Sequence, residues 1–295
     1  MKVDYHFHPN LLGKNPAKRL NALWKAIEDL KFDAMVCTEH SFKSAPEAYR
    51  LLAASKPAHL HTQIFPGAEL VTQEGVDVIV FAEHDWYDEH PLLLKPFGLT
   101  LSETLRYLAQ TDLTYFIPHP VLYHNPLKSL YREDAKMKEF LHEVPAVESF
   151  NGCYLGLDHL SKTSPVFKLG THVFRRLSKS ARVPTDVLKE KKKFIAIGSD
   201  AHHPKDLGFA VEIPGALPHS RTGMFQKITS NTDVSTLHYP KHQHPIVRLA
   251  YTIWTTFSEG WMRREWKRYT YQHSGFRDVT ELELAPQPET FAVQS

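Results

Sequence analysis

The chain opens Met1-Lys2-Val3-Asp4-Tyr5-His6-Phe7-His8, and the stretch Phe194-Ile195-Ala196-Ile197-Gly198-Ser199-Asp200-Ala201-His202 follows the same plan near its end. In both, a short apolar run stops at a pair of metal-seeking side chains two residues apart. Alternate residues of an extended chain point the same way, so His6 with His8, and Asp200 with His202, can each reach one ion. Strand-like runs of the same kind recur between them, at Ala34–Cys37, Gln63–Phe65, Asp77–Phe81, Tyr115–Ile117 and Ala146–Phe150. Helical periodicity fills most of the gaps. Pro16–Leu30 carries Leu20, Leu23, Trp24, Ile27 and Leu30 on one face, Ser102–Gln110 opens on Ser and Glu103, and Glu133–Leu141 is a third candidate. Strands separated by helices imply βα units and a largely parallel sheet or barrel, and seven strand candidates suit an α/β barrel better than a sandwich.

Potential ligands sit at the ends of these runs. Glu39-His40 follows the second, Glu69 the third, His84 the fourth and His119 the fifth; Glu148 lies within the sixth. In a parallel α/β barrel the strand ends and their loops converge on one face, where functional groups gather. His6, His8, His40, His84, His119 and His202, with Asp200 and Glu69 or Glu148, predict a multi-metal cluster. Each residue alone reads as an ordinary loop or surface side chain; the conjunction at strand ends carries the reading.

Composition narrows the classes. The 295 residues include 19 His but only 2 Cys, Cys37 and Cys153, so neither a disulfide scaffold nor a zinc finger is available. A formal net charge of +2 gives no electrostatic case for a nucleic-acid partner. Met1–His6 lacks an apolar run of signal-peptide length, and no stretch approaches the roughly 18 apolar residues of a membrane span, which predicts a cytoplasmic chain. There is no Cys-x5-Arg phosphatase signature and no Gly-x-Ser-x-Gly elbow.

The motifs Asp4-Tyr5-His6-Phe7-His8, Thr38-Glu39-His40, Pro66-Gly67-Ala68-Glu69, Ile117-Pro118-His119-Pro120, Val147-Glu148-Ser149-Phe150-Asn151 and Gly198-Ser199-Asp200-Ala201-His202 resemble those of the polymerase and histidinol phosphatase (PHP) family of metal-dependent phosphoesterases. The resemblance spans residues 1 to about 213. It implies an α/β fold, a distorted seven-stranded β/α (TIM-like) barrel over 1–213, here followed by a C-terminal loop and long-helix extension over 214–280 and a flexible tail over 281–295. It implies two or three divalent ions per chain (zinc, manganese or iron). His6, His8 and Asp200 would hold a first ion, Glu69 would bridge to a second held with His119 and His84, and His40 and His202 would hold a third. Glu69, Asp200 and His202 would form the catalytic set. The family usually supplies another ligand some six residues beyond the first motif. Pro9–Asn15 offers none, so Glu148 is the recruit considered for the third site, and Glu39, where Asp is commoner, would orient a ligand histidine.

The resemblance further implies hydrolysis of a phosphoester substrate by a metal-activated water at a di- or trinuclear site. Two other readings stand beside it: an amidohydrolase-type metal-dependent hydrolase, which also opens with His-x-His, and a non-catalytic regulatory module that keeps the scaffold. The helical pattern over 245–272, with its tryptophans and Arg263, Arg264, Lys267 and Arg268, predicts packing on the body of the protein or on a second copy in a homo-oligomer, with peripheral membrane contact as the sharper alternative.

Overall fold

The computed structural model describes residues 1–12, 15–120, 127, 134–152, 183, 187–188, 192–238, 258 and 260–268. The expected tail over 281–295, most of the 245–272 helix, Cys153 and the basic residues at 175–179 and 189–191 fall outside them. Residues 260–268 are helical.

Strands β1 (Lys2–Phe7), β2 (Ala34–Cys37) and β3 (Gln63–Val71) pair in parallel. Helix α1 (Pro16–Leu30) returns the chain from β1 to β2, and α2 (Ala45–Ala54) from β2 to β3. Pro16 sets φ at the first turn of α1, Leu23, Trp24 and Ile27 face inward, and Lys31 ends the helix in the left-handed region at φ 54°. So far the chain follows the predicted βα plan.

At β3 it departs. The strand does not stop at Phe65 but continues through Pro66 and Gly67 to Val71. Gly67 is required there, because a Cβ would lie 2.9 Å from Val36 Cγ1 and 3.0 Å from the Cys37 carbonyl. A tight turn at 72–76, with Gly75 at φ 85°, then sends β4 (Asp77–Phe81) back antiparallel to β3. Strand β5 (Thr114–Phe116) pairs antiparallel with β4 after helix α3 (Leu101–Leu108). The cap of α3 is Thr100, two residues before the expected Ser102, because a capping box needs Glu103 at its third position.

Helix α4 (Asp134–Glu143) precedes β6 (Ala146–Asn151), which pairs in parallel with β7 (Phe194–Gly198). Strand β8 (Ala210–Glu212) pairs antiparallel with β1, helix α5 (Arg221–Thr229) follows, and β9 (Leu237–His238) pairs with β8. The result is a seven-stranded mixed sheet in the order β5-β4-β3-β2-β1-β8-β9 and a separate two-stranded sheet β6-β7. The expected β/α barrel is therefore incorrect: this is a mixed α/β fold without a closed barrel. Two unpredicted strands, β8 and β9, extend the β1 side, and among the described residues strand pairing between the two sheets is limited to single parallel bridges at Phe7–Ala201 and Ile117–Val147, while side chains of both pack together in the core.

The core lies under one face of the large sheet. Tyr5, Phe81, Phe116 and Phe194 interlock there, with Tyr5 and Phe194 stacked at 6.0 Å and Phe116 edge-on to Phe194 at 6.1 Å. Met224 and Ile228 of α5 close the cluster, and the Tyr5 hydroxyl donates to the Ile228 carbonyl at 2.8 Å. No helix among the described residues is long and apolar enough to cross a membrane.

Truncating Phe194 to Ala removes the ring shared by these contacts, and is expected to lower unfolding free energy by about 3–5 kcal/mol in urea titrations. A loss under about 1 kcal/mol would show that the cluster is not the keystone of this core.

Candidate metal centre

Three residues of β1 span what two residues of β2 span, since Asp4 lies opposite Met35 and Phe7 opposite Cys37. That extra residue switches faces. Val3 and Tyr5 point into the aromatic core, but Phe7 packs with Leu23, Met35 and Cys37 on the other side, leaving His6 and His8 to converge on the interior. Their Nε2 atoms are 3.0 Å apart and both side chains are fully buried.

Strand β7 brings the second motif against them. Gly198 allows the close approach, because a Cβ there would sit 2.1 Å from His6 Cβ. Asp200 then donates its backbone N–H to the His6 carbonyl at 2.7 Å and holds Oδ1 3.4 Å from His6 Nε2 and 3.2 Å from His8 Nε2. It does so at φ 50°, and His119 reaches the site at φ 31°. Both are residue types tolerated in the left-handed region, held there at some conformational cost.

Glu69 stands at the middle. Its Oε1 is 3.1 Å from His119 Nε2; its Oε2 is 2.8 Å from His40 Nδ1, 3.3 Å from His8 Nε2 and 3.7 Å from His6 Nε2. His8 stacks between His40 at 4.3 Å and His202 at 4.2 Å. Among the described residues, ligand atoms within 4.8 Å of one another fall into four overlapping groups: His8–His40–His202, His6–His119–Asp200, His6–His8–Glu69 and Glu69–Asp77–His119. The donor chemistry suits zinc, manganese or iron. Among the described residues, the buried Asp77 Oδ1 and His8 Nδ1 have no hydrogen-bond partner, as expected of atoms arranged for an ion rather than for one another.

The electrostatics are those of a site short of positive charge. Burial alone would raise Glu69 and Asp200, yet His40, His119 and His6 hold Glu69 well below the usual carboxylate range, and His6, His8 and His202 do the same for Asp200. Burial opposes charge on His6, but Asp200 and Glu148 push its pKa well above the ordinary value. His8 is lowered by burial and by the neighbouring His202 and His40. Asp77 is raised, by burial and by Glu69, against the pull of Arg263.

Of the residues expected here, His6, His8, His40, Glu69, His119, Asp200 and His202 come together. The groupings differ from the expected ones: His119 shares a set with His6 and Asp200, and His8 joins His40 and His202. Glu148 faces the other side of His6, with Oε1 3.1 Å from Nδ1, while its Oε2 accepts from the His119 backbone N–H at 2.8 Å and from Asn151 at 3.1 Å. It is placed to orient a ligand rather than to be one. Glu39 is nearer His8 Nδ1, at 3.7 Å, and accepts the Asn10 N–H at 2.6 Å. Asn10 thus enters the unassigned Pro9–Asn15 stretch as a strut, its amide donating to the His202 carbonyl at 3.1 Å.

His84 does not belong to the centre. Its side chain is 79% exposed and lies 3.4 Å from Glu83. The cause is strand direction. Because β4 runs antiparallel to β3, its carboxyl end points away from the centre and its first residue, Asp77, points towards it. Ile79 lies opposite Glu69, and Asp77 shares that face one step further along. Asp77 was missed because no rule about strand C-termini selects the start of a strand. Asn151, which donates to both Glu148 and Asp200 at 3.1 Å, was quoted in a motif but given no role.

No protein-family model matches the chain, and no curated protein matches it. Among solved structures it is similar to PsfC from Pseudomonas syringae PB-5123, at 19% identity and a TM-score of 0.50 over 85% of this chain and 97% of that one. Such a likeness bears on the fold alone.

Two measurements probe this geometry. Asp77→Asn is expected to lose about one ion per chain by elemental analysis after dialysis, and His84→Ala none; the reverse would return His84 to the centre. The second concerns acid. Burial raises Glu39, but His8, Lys43 and His40 outweigh it and lower its pKa to about 2. A depressed folded pKa stabilises above the unfolded value of 4.5, and that stabilisation fades as pH falls towards 2. The stability gap between metal-free wild type and Glu39→Gln should therefore be full at pH 6 and shrink steadily below pH 4.5 in urea titrations. A gap independent of pH would remove Glu39 from this role.

Proposed function

We propose that the protein is a metal-dependent phosphoesterase of the PHP type, acting on a phosphate ester at a di- or trinuclear centre. One observation carries the reading: Glu69 is shared by His6, His8, His40 and His119 in a buried set that Asp200 closes. His6, His8, Asp200, His119 and Asp77, with Glu69 between them, would hold two ions, and His40 and His202 beside His8 offer ligands for a third. Bound together, such ions supply Lewis-acid charge for phosphoryl oxygens and lower the pKa of a water towards neutrality.

The chain's own residues do the positioning. Glu148 fixes the His6 ring through Nδ1, so Nε2 is the nitrogen presented to the centre. Asn151 ties Glu148 to Asp200 and keeps both carboxylates at a set spacing. Burial of His6, His8 and Glu69 excludes bulk water, which strengthens each electrostatic contact inside. His202, 12% exposed by side chain, lies on the solvent side, where a substrate can reach. The amidohydrolase alternative in its lysine-bridged form is disfavoured: Lys192, the one buried lysine among the described residues, donates to the Leu141, His142 and Val144 carbonyls.

The test is hydrolysis of p-nitrophenyl phosphate beside an amide panel, in protein supplied with manganese or zinc and with its ion content measured. Phosphate release that stops with EDTA is expected. Asp200→Ala should lose more than about a hundredfold, and Glu148→Gln about 10–100-fold with partial loss of ions. Turnover of amides alone, or a full ion complement with no turnover of any ester, would overturn the proposal.

A further inference from the structure

A cavity of about 1070 Å³ opens beside the centre, reaching it at Glu39 and His202. Its size is that of a small-molecule site rather than of a channel for ions and water. Phe42, from the turn after β2, and Leu94, from the loop after β4, give it an apolar lining, and Met262 and Trp266 add to it from the helical residues 260–268. Met262 and Trp266 are four residues apart and so share one helix face. Arg19, Lys43 and Lys95 also line the cavity, and among the described residues Glu39 is the one acid that does.

The helix is fixed to the centre by specific contacts. Arg263 lies 3.0 Å from Asp77, with its guanidinium 5.7 Å from the Phe42 ring. Met262 packs on the buried cluster of Phe42, Val71 and Phe97. Phe42 in turn stacks on His40 at 4.6 Å and 13°. One wall of the cavity is therefore held in register with the ligand histidines, while Trp266 keeps 37% of its surface exposed.

We infer that this cavity receives the leaving group of the ester, that the leaving group is an apolar or aromatic body, and that Met262 and Trp266 select for it. The inference rests on the phosphoesterase reading and deepens it. The cations suit the anionic charge of the ester, and the apolar surface suits what remains once the phosphate has settled on the centre. A compact hydrophilic alcohol would leave the exposed parts of Trp266, Met262 and Leu94 against water and gain nothing from them. A flat, apolar group covers them.

Two probes of equal charge separate the terms: phenylphosphonate and methylphosphonate, titrated calorimetrically into the full chain with its ions in place and counted. Phenylphosphonate should bind about tenfold more tightly, and Trp266→Ala should remove about tenfold from phenylphosphonate while methylphosphonate stays within about twofold. Leu94→Ala should show the same selective loss, which keeps the inference open to refutation should the Trp266 variant misfold by circular dichroism. Equal affinity of the wild type for both probes, or equal weakening of both in the variants, would overturn the apolar wall and leave the phosphoesterase reading standing. Binding of neither probe with a full ion complement would sink that reading, and this inference with it.

Discussion

Glu69 is a carboxylate buried to 1% exposure, and His6 and His8 from one segment, His40 from a second and His119 from a third approach it. An isolated charge at such a depth is prohibitively unfavourable, and an array of neutral imidazoles would not offset it. The cluster must hold either protons or cations. With protons, His6 and His119 are driven to pKa values above their ordinary ones while His8, between His40 and His202, is driven below. That is a frustrated arrangement: the rings cannot all be charged or all be neutral with every contact satisfied. Divalent ions would relieve it, since neutral imidazole and ionised carboxylate are the forms they bind. The rest of the molecule is consistent with having been built around that requirement.

The two ends of one sheet face divide the labour. Phe65, Phe81 and Phe116 pack the lower part of the face that carries Glu69 and Asp77 further along. Stability comes from the aromatic end, and the polar end is where conformational cost is stored: Asp200 and His119 at positive φ, and Gly198 pressed against His6. Such strain persists only where the surroundings over-determine the chain. Here the Ser199 hydroxyl donates to Asp4 at 2.6 Å, the Ser199 N–H donates to the same carboxylate at 2.9 Å, and burial raises Asp4 to a pKa of about 7. Asp4 is thus a buried staple between β1 and β7 that never reaches the centre.

How far the sequence discloses this follows from what each signal measures. Hydrophobic runs mark where a strand begins to be buried, and the expected strands start at or near those observed, although β3 runs on past Phe65 to Val71 and β8 and β9 were not expected. Spacing of two residues marks a shared face, and His6 with His8 obeys it. Neither signal carries strand direction. Every ligand assigned to a strand end of β1, β2, β5 or β7 reaches the centre, because those ends point the same way. On β4 the rule inverts, so it selects His84 and overlooks Asp77. The turn that reverses the chain, Thr72-Gln73-Glu74-Gly75-Val76, was legible as turn chemistry around Gly75, but only if β3 was first seen to run through Pro66-Gly67. Those two residues read as a strand terminator. They are tolerated because the Pro66 carbonyl accepts from Ala82 at 3.1 Å and from Trp86 at 3.1 Å, and because Gly67 lets Val36 approach.

The reversal at β4 also explains why the C-terminal helical residues matter to the centre. Had β4 run parallel, its first residue would lie at the far end of the sheet and Asp77 would be an ordinary surface carboxylate. Running backwards, it sets a buried carboxylate beside Glu69 and His119, where burial first and the like charge of Glu69 second raise the Asp77 pKa against the pull of Arg263 and His119. Arg263 answers one Asp77 oxygen, at 3.0 Å, and leaves Oδ1 without a hydrogen bond. A guanidinium is the cation suited to this place, since it stays charged when partly buried and its flat face can lie against Phe42 while its edge meets the carboxylate. The free oxygen can then turn to an ion without Asp77 losing its partner. Through that one residue the helix at 260–268 is tied to the hairpin β3–β4 at the point where the hairpin meets the histidine cluster.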